Sequence, residues 1–291
     1  MKITIAAKTD IGKERDQNED AFVVCPDLSH PDWKKDKDSL ELGTFGTLLA
    51  VADGMGGANA GEVASRLSIE SIQNAFNSTD ITSIIASEEK IKAFLQDTIK
   101  TADKYLNEHM VEHPDTIGMG TTLVICWILK DHAYIAWCGD SRCYVFNPQS
   151  GLKVLTKDHS YVQELIDKGE LTEEAALTHP DSNLITRGLG DFDTPAEADI
   201  VTHTLQPNDM FLLCSDGLCG YCTNHTIENV IKTYYDDTDE CCDKLMELAL
   251  DTGGYDNICI ALAKVYDKDE DQLHKPKQSR FFSNLFSNKQ A

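Results

Sequence analysis

Apolar residues in this chain fall into alternating stretches and short continuous runs. Residues 3–7 and 21–25 are predicted strands on either side of a polar turn. Residues 47–52 form an apolar run that stops at Asp53, the pattern of a strand buried on both faces. The period then changes. From Gly61 to about Phe76, the positions Val63, Leu67, Ile69, Ile72 and Phe76 mark one face of a helix. A second helix covers about Glu88 to His113, with Ile91, Leu95, Ala102, Tyr105, Leu106 and Met110 in phase, and Pro114 helps to end it. Strands resume at 121–129, 133–138, 143–146, 210–214 and 257–265. The polar stretch from Pro26 to about Gly46, with Lys34, Lys35, Asp36, Lys37 and Asp38, reads as an exposed loop. Two helices followed by many strands, without regular strand–helix alternation, predict an α+β fold.

The 291 residues, 41% of them hydrophobic, are enough for one large domain over 1–266. Residues 267–291 differ in character. Their acidic start gives way to Lys275, Lys277, Arg280 and Lys289, punctuated by Phe281, Phe282, Leu285 and Phe286. This charged tail reads as a flexible end, or as a short amphipathic helix docking on a partner or a membrane surface. A net charge of −23 argues against nucleic acid as a partner, because a polyanion would be repelled. With no apolar segment of signal or membrane-span length, the expected location is cytoplasmic, with reduced thiols. Cys126, Cys138, Cys214 and Cys259 sit in apolar runs and read as core. Cys219 and Cys222, followed by His225 and by Cys241 and Cys242, admit three readings: buried thiols, a redox pair or a zinc site.

The candidate chemistry lies in four aspartate signatures. They are Arg15 to Asp20, Asp53 to Gly57, Cys214 to Gly217, and Tyr255 to Asn257. Each carboxylate stands where an apolar strand meets a turn containing Gly or Asn. Such placement gathers carboxylates at the rim of a core, where cations must offset their repulsion. Asp53, Asp216 and Asp256 are strand-end carboxylates suited to hard cations such as Mg²⁺ or Mn²⁺, and Gly54 leaves its own carbonyl unobstructed. A phosphate-binding glycine loop and a serine nucleophile elbow are both absent from the sequence, so attack by an activated water fits better than a covalent intermediate.

These residues resemble the metal-dependent protein serine/threonine phosphatases, the PPM or type 2C class, from about Thr4 to Val265. The resemblance rests on Thr9-Asp10-Ile11-Gly12 with Arg15, Asn18, Glu19 and Asp20, and on Asp53-Gly54-Met55-Gly56-Gly57 with Gly61-Glu62-Val63-Ala64-Ser65. Further matches are Gly120-Thr121-Thr122, Gly139-Asp140-Ser141-Arg142, Asp158-His159-Ser160, Thr186-Arg187-Gly188-Leu189-Gly190, Asp216-Gly217 and Asp256-Asn257.

The resemblance implies an αββα sandwich of two antiparallel sheets flanked by helices, with a small flap at about 159–190. It implies two Mn²⁺ or Mg²⁺ ions bridged by Asp53. Glu19 and the Gly54 carbonyl would serve the first ion, and Asp216 and Asp256 the second. A third, weaker ion would lie at Asp140 and Asp216. Asp20 would orient water, and Arg15 would grip the phosphate of a phosphoserine or phosphothreonine protein. A hydroxide bridging the ions would attack phosphorus directly. Met55 stands where many eukaryotic members have a histidine and bacterial members commonly have Met, which points to a bacterial-like enzyme opposing Ser/Thr kinases. His159 and His179 in the flap read as cap or packing residues. Two alternatives are a catalytically dead scaffold, disfavoured because Asp53, Asp216 and Asp256 are all retained, and a phosphatase of anti-sigma-factor antagonists, disfavoured by the flap pattern.

Overall fold

The apolar runs are strands covered on both faces. The computed structural model describes residues 1–33, 40–56, 60–190 and 194–266. The Lys34 to Asp38 stretch, Gly57 and the 267–291 tail lie outside the described residues. The first half contains β1 (Lys2–Asp10), β2 (Asp20–Cys25), β3 (Leu40–Glu41), β4 (Thr47–Met55), α1 (Ala60–Ser78), α2 (Ile81–Ile84) and α3 (Glu88–Glu112). Then come β5 (Gly120–Thr121), β6 (Leu123–Leu129), β7 (His132–Cys138), β8 (Arg142–Asn147), β9 (Gly151–Val154), α4 (Tyr161–Asp167), α5 (Glu173–Ala176) and β10 (Leu189–Gly190). The chain continues through β11 (Asp199–Thr204), β12 (Met210–Cys214), α6 (Asp216–Cys219), α7 (Asn224–Tyr234), α8 (Thr238–Asp251) and β13 (Ile258–Tyr266).

Two antiparallel sheets result. One runs β3-β1-β13-β12-β8-β9; the other runs β10-β5-β4-β6-β7-β11, with β2 paired to β4. The first and last strands pair along their whole length, from Lys2 opposite Tyr266 to Asp10 opposite Ile258. Alternation along each strand explains the layers. Leu49 and Val51 of β4 face the core between the sheets with Cys259, Ala261 and Ala263 of β13. Leu48, Ala50 and Ala52 point the other way, toward Ile72 and Phe76 of α1 and Leu95 and Ile99 of α3. On the far side Ile258, Ile260 and Leu262 of β13 pack with Ile227 and Ile231 of α7 and Cys241, Cys242 and Leu245 of α8. The αββα sandwich is therefore complete, with three apolar layers.

Some boundaries differ from the sequence reading. The two expected helices supply only one outer layer; α7 and α8 supply the other. The 26–46 region contributes β3 to the edge of a sheet. The expected strand 121–129 is interrupted at Thr122, whose N–H turns to the Asp53 carbonyl (2.9 Å). That interruption lies beside the carboxylates and has a local purpose there.

Candidate metal centre and active site

The carboxylates meet at one end of the sandwich because strand register brings them there. Asp20 opens β2 directly opposite Asp53 of β4. Asp53 is held through its backbone: its N–H donates to Thr122 Oγ1 (3.2 Å), and its carbonyl accepts from Thr121 Oγ1 (2.8 Å). Asp216 leaves the end of β12 and begins α6, a helical start rather than the bare turn expected. Its neighbour Ser215 donates Oγ–H to Asp20 Oδ2 (2.7 Å) and accepts from the Cys259 N–H (2.8 Å), so one hydroxyl ties both sheets to the cluster. Asp140 sits between β7 and β8, just after Gly139 at φ +120°, where a Cβ would collide with Thr122.

Asn257 organises the turn that carries Arg15 and Glu19. Its side chain accepts from the Glu19 N–H (2.8 Å) and donates to the carbonyls of Ile11 (2.9 Å) and Gln17 (2.8 Å). Glu19 in turn lies over Gly61 of α1, where a Cβ would stand 2.6 Å from Oε2. Gly54 is equally confined: its Cβ would be 2.2 Å from the Gly61 carbonyl oxygen and 2.5 Å from that of Glu19. Arg15 is exposed and donates from Nη2 to Asp256 Oδ2 (2.6 Å).

Electrostatics show what this arrangement lacks. Asp20 and Asp140 are buried, and the Oδ1 atom of each is without a hydrogen-bond partner. Burial, then the nearby charges of Asp216 and Asp256, pushes Asp20 up to about 8. Burial and Asp256 push Asp216 up to about 6. Asp53 is raised by burial and then by Asp20, Asp216 and Asp140, and Asp140 by burial and Asp216. Glu19 is raised by burial despite Arg15. Oxygen donors that repel one another in a half-buried pocket fit hard divalent cations. Among the described residues, no group of three His, Cys, Asp or Glu side chains closes into a ready-made cage. The fit rests on the orphaned oxygens and the oxygen-only donor set.

The sequence matches the family Protein phosphatase 2C over residues 35–253. The chain belongs to the protein phosphatase 2C family. It is 35% identical over 257 residues to a Listeria innocua serine/threonine phosphatase, covering 88% of this chain and 94% of that one. A solved S. agalactiae serine/threonine phosphatase superposes with a TM-score of 0.77 at 32% identity, covering 90% of this chain and 99% of that one. The catalytic domain of the serine/threonine phosphatase PstP, solved with two manganese ions, gives 0.72 at 30% identity, covering 91% and 99%. The chain is thus an enzyme of the 2C class, acting on phosphorylated proteins. The Listeria and S. agalactiae relatives are bacterial, in keeping with Met55, which ends β4 opposite Gly120.

In this phosphatase Asp158 and His159, at the start of the 159–190 segment, are fastened to the turn that carries Asp140. Asp158 takes Arg142 in a two-point grip, Nε to Oδ1 at 2.9 Å and Nη2 to Oδ2 at 2.6 Å. His159 accepts the Gly139 N–H on Nδ1 (3.0 Å), stacks on Trp137, and turns Nε2 toward Arg187 and Asp199. Burial and Arg187 lower its pKa. These contacts are packing and hydrogen bonding within the protein. His179 caps its own turn by accepting from the Asp181 N–H.

Cys219 and Cys222 are buried and unpaired by disulfides. Hydrogen bonding to Cys214 and burial raise the Cys219 thiol, and burial raises Cys222, the opposite of a reactive pair. The sequence reading gave Ser215, Thr121, Thr122 and Gly61 no role. Only spatial pairing reveals one, although Gly61 and the two threonines stood within the matched motifs. Among the described residues, no helix is long and apolar enough to cross a membrane.

Proposed function

We propose that this enzyme hydrolyses phosphoserine and phosphothreonine in proteins, using two divalent ions, Mn²⁺ or Mg²⁺, held by Glu19, Asp53, the Gly54 carbonyl, Asp216 and Asp256. The observation that carries the reading is the cluster of raised, mutually repelling carboxylates around Asp53, with Arg15 at its edge. When bound, the ions would supply a water activated for in-line attack and neutralise the phosphoryl oxygens. PstP, of the same fold, was solved with two manganese ions, which supports Mn²⁺ as the first metal to test. Asp140 with Asp216 is the place for a third, weaker ion.

The chain's own residues then have distinct tasks. Arg15 offers a planar fork to two phosphate oxygens, and its hold on Asp256 places that fork at the cluster edge. Asp20, tied to Ser215, orients water from behind Asp53. Asn257 holds Glu19 in place. Met55 cannot deliver a proton to the leaving oxygen, so a water or another residue must do so. A catalytic domain over 1–266 with the flap at 159–190, a cytoplasmic location, an opposing Ser/Thr kinase and docking through the 267–291 tail complete the reading.

The test is phosphate release from a phosphothreonine peptide with Mn²⁺, with chelator, and in Asp216→Asn. Activity should require Mn²⁺ and collapse in the variant. A folded, Mn²⁺-supplied wild type inert on several phosphopeptides would overturn the assignment in favour of a scaffold.

A further inference from the structure

Between the flap and the α6–α7 connection lies a cavity of about 360 Å³, with Asp140 and Asp216 of the carboxylate cluster in its wall. Its flap side carries apolar Val162, Ile166 and Leu177 and, at the start of α5, the exposed carboxylates Glu173 and Glu174. Tyr221 lines the cavity from the α6–α7 connection. The residue is 38% exposed, and its ring lies 5.4 Å from that of Tyr255, the residue before Asp256. This aromatic pair therefore borders both the cavity and the site of hydrolysis.

The charge in the cavity is one-sided. Arg142 is taken by Asp158 and Lys157 by Asp167, each at 2.6 Å. Glu173 and Glu174 are in no ion pair among the described residues. The cavity thus combines an apolar wall, an aromatic ring and unbalanced negative charge. Arginine and lysine have the matching form: an aliphatic stem that packs on apolar surface and a cationic head that carboxylates and ring faces attract. An acidic side chain would be repelled, and a purely apolar one would leave the carboxylates unanswered.

We propose that this cavity is a subsite for an arginine or lysine side chain close to the phosphoresidue in the substrate polypeptide. The inference rests on the phosphatase reading above, because the occupant is the chain whose phosphate reaches the cluster. Glu173 and Glu174 are specificity residues, Tyr221 provides the ring, and none of them reacts.

The experiment uses the full chain with Mn²⁺ and a set of phosphothreonine peptides. A single arginine is moved through the four residues on either side of the phosphothreonine in an otherwise alanine background, and glutamate replaces it in a parallel set. At one or two positions arginine should raise kcat/KM about fivefold over alanine, the scale of one or two partly exposed ion pairs, and glutamate should lower it. In Glu173→Gln/Glu174→Gln the arginine advantage should fall to about one while the alanine peptide is unaffected. Glu173→Lys/Glu174→Lys should reverse the preference. Equal rates on all wild-type peptides, or a preference that survives both double substitutions, overturns the subsite. If no peptide is hydrolysed, the parent reading fails instead. Fluorescence anisotropy of the arginine peptide with wild type and with the glutamine variant then decides the subsite, since equal affinity would refute it.

Discussion

Asn257 should be the most costly single polar residue of the site to remove. It is 5% exposed and satisfies three backbone groups at 2.8, 2.9 and 2.8 Å, from Glu19, Ile11 and Gln17. Asn257→Ala deletes those bonds and strands the Glu19 N–H, while water reaches the exposed Ile11 and Gln17 segments. At about 1 kcal/mol per net bond, plus the penalty for buried groups left unpaired, the loss should be about 2–3 kcal/mol. That is a large share of a typical domain's stability. Asn257→Asp should cost more, because a carboxylate would replace the amide donor opposite two carbonyl oxygens. Urea unfolding in chelator reads both losses as midpoint shifts at constant slope. The Mn²⁺ concentration for half-maximal activity should rise in Asn257→Ala, since the turn carrying Glu19 loses its tether. A loss below about 1 kcal/mol, or an Asn257→Asp protein as stable as wild type, would refute this role.

Three further outcomes follow from the same geometry. Asp20 and Asp216 have folded-state pKa values raised to about 8 and about 6, so the folded chelated protein binds more protons than the unfolded chain. Its stability should therefore fall as pH rises from 5 to 8, and Mn²⁺ should abolish the slope; parallel melting curves at pH 5 and 8 with and without Mn²⁺ check this. Gly61→Ala should raise the Mn²⁺ requirement by pushing on the Glu19 carboxylate at 2.6 Å and on the Gly54 backbone at 2.9 Å, whereas Gly54→Ala, facing backbone oxygens at 2.2 and 2.5 Å, should fail to fold stably by circular dichroism. Arg15→Lys should lower kcat/KM on phosphopeptides roughly tenfold or more, because Lys cannot hold two oxygens as a fork. Its melting temperature should barely change, since the Asp256 pair is exposed on the Arg15 side.

The runs that became β4, β6, β12 and β13 were legible because strands buried on both faces stay apolar throughout. The α8 helix was harder to see for a chemical reason. Its inward stripe of Cys241, Cys242, Leu245, Met246 and Ala249 begins with two cysteines, which admit redox and zinc readings beside that of core. In α7 only Ile227 and Ile231 are fully buried, too few to announce a face. The strand β11 carries Asp199, Thr202, His203 and Thr204 at a sheet edge, where alternation is weak. The carboxylate signatures could be read as a set. Their tethers could not, because Ser215 reaches Asp20 across 195 positions and Asn257 reaches Gln17 across 240.

The pairing of β1 with β13 also sets an order of events in time. The strand β13 lies between β1 and β12, and the segment just before it brings Asp256 and Asn257 to the cluster. During synthesis, β1 has no neighbour on that side until residues near Tyr266 have emerged. Contacts spanning so much of the chain form late and slowly. The carboxylate cluster is therefore complete only when the sheet closes; a nascent chain is inert until that moment, and one terminated before β13 stays inert.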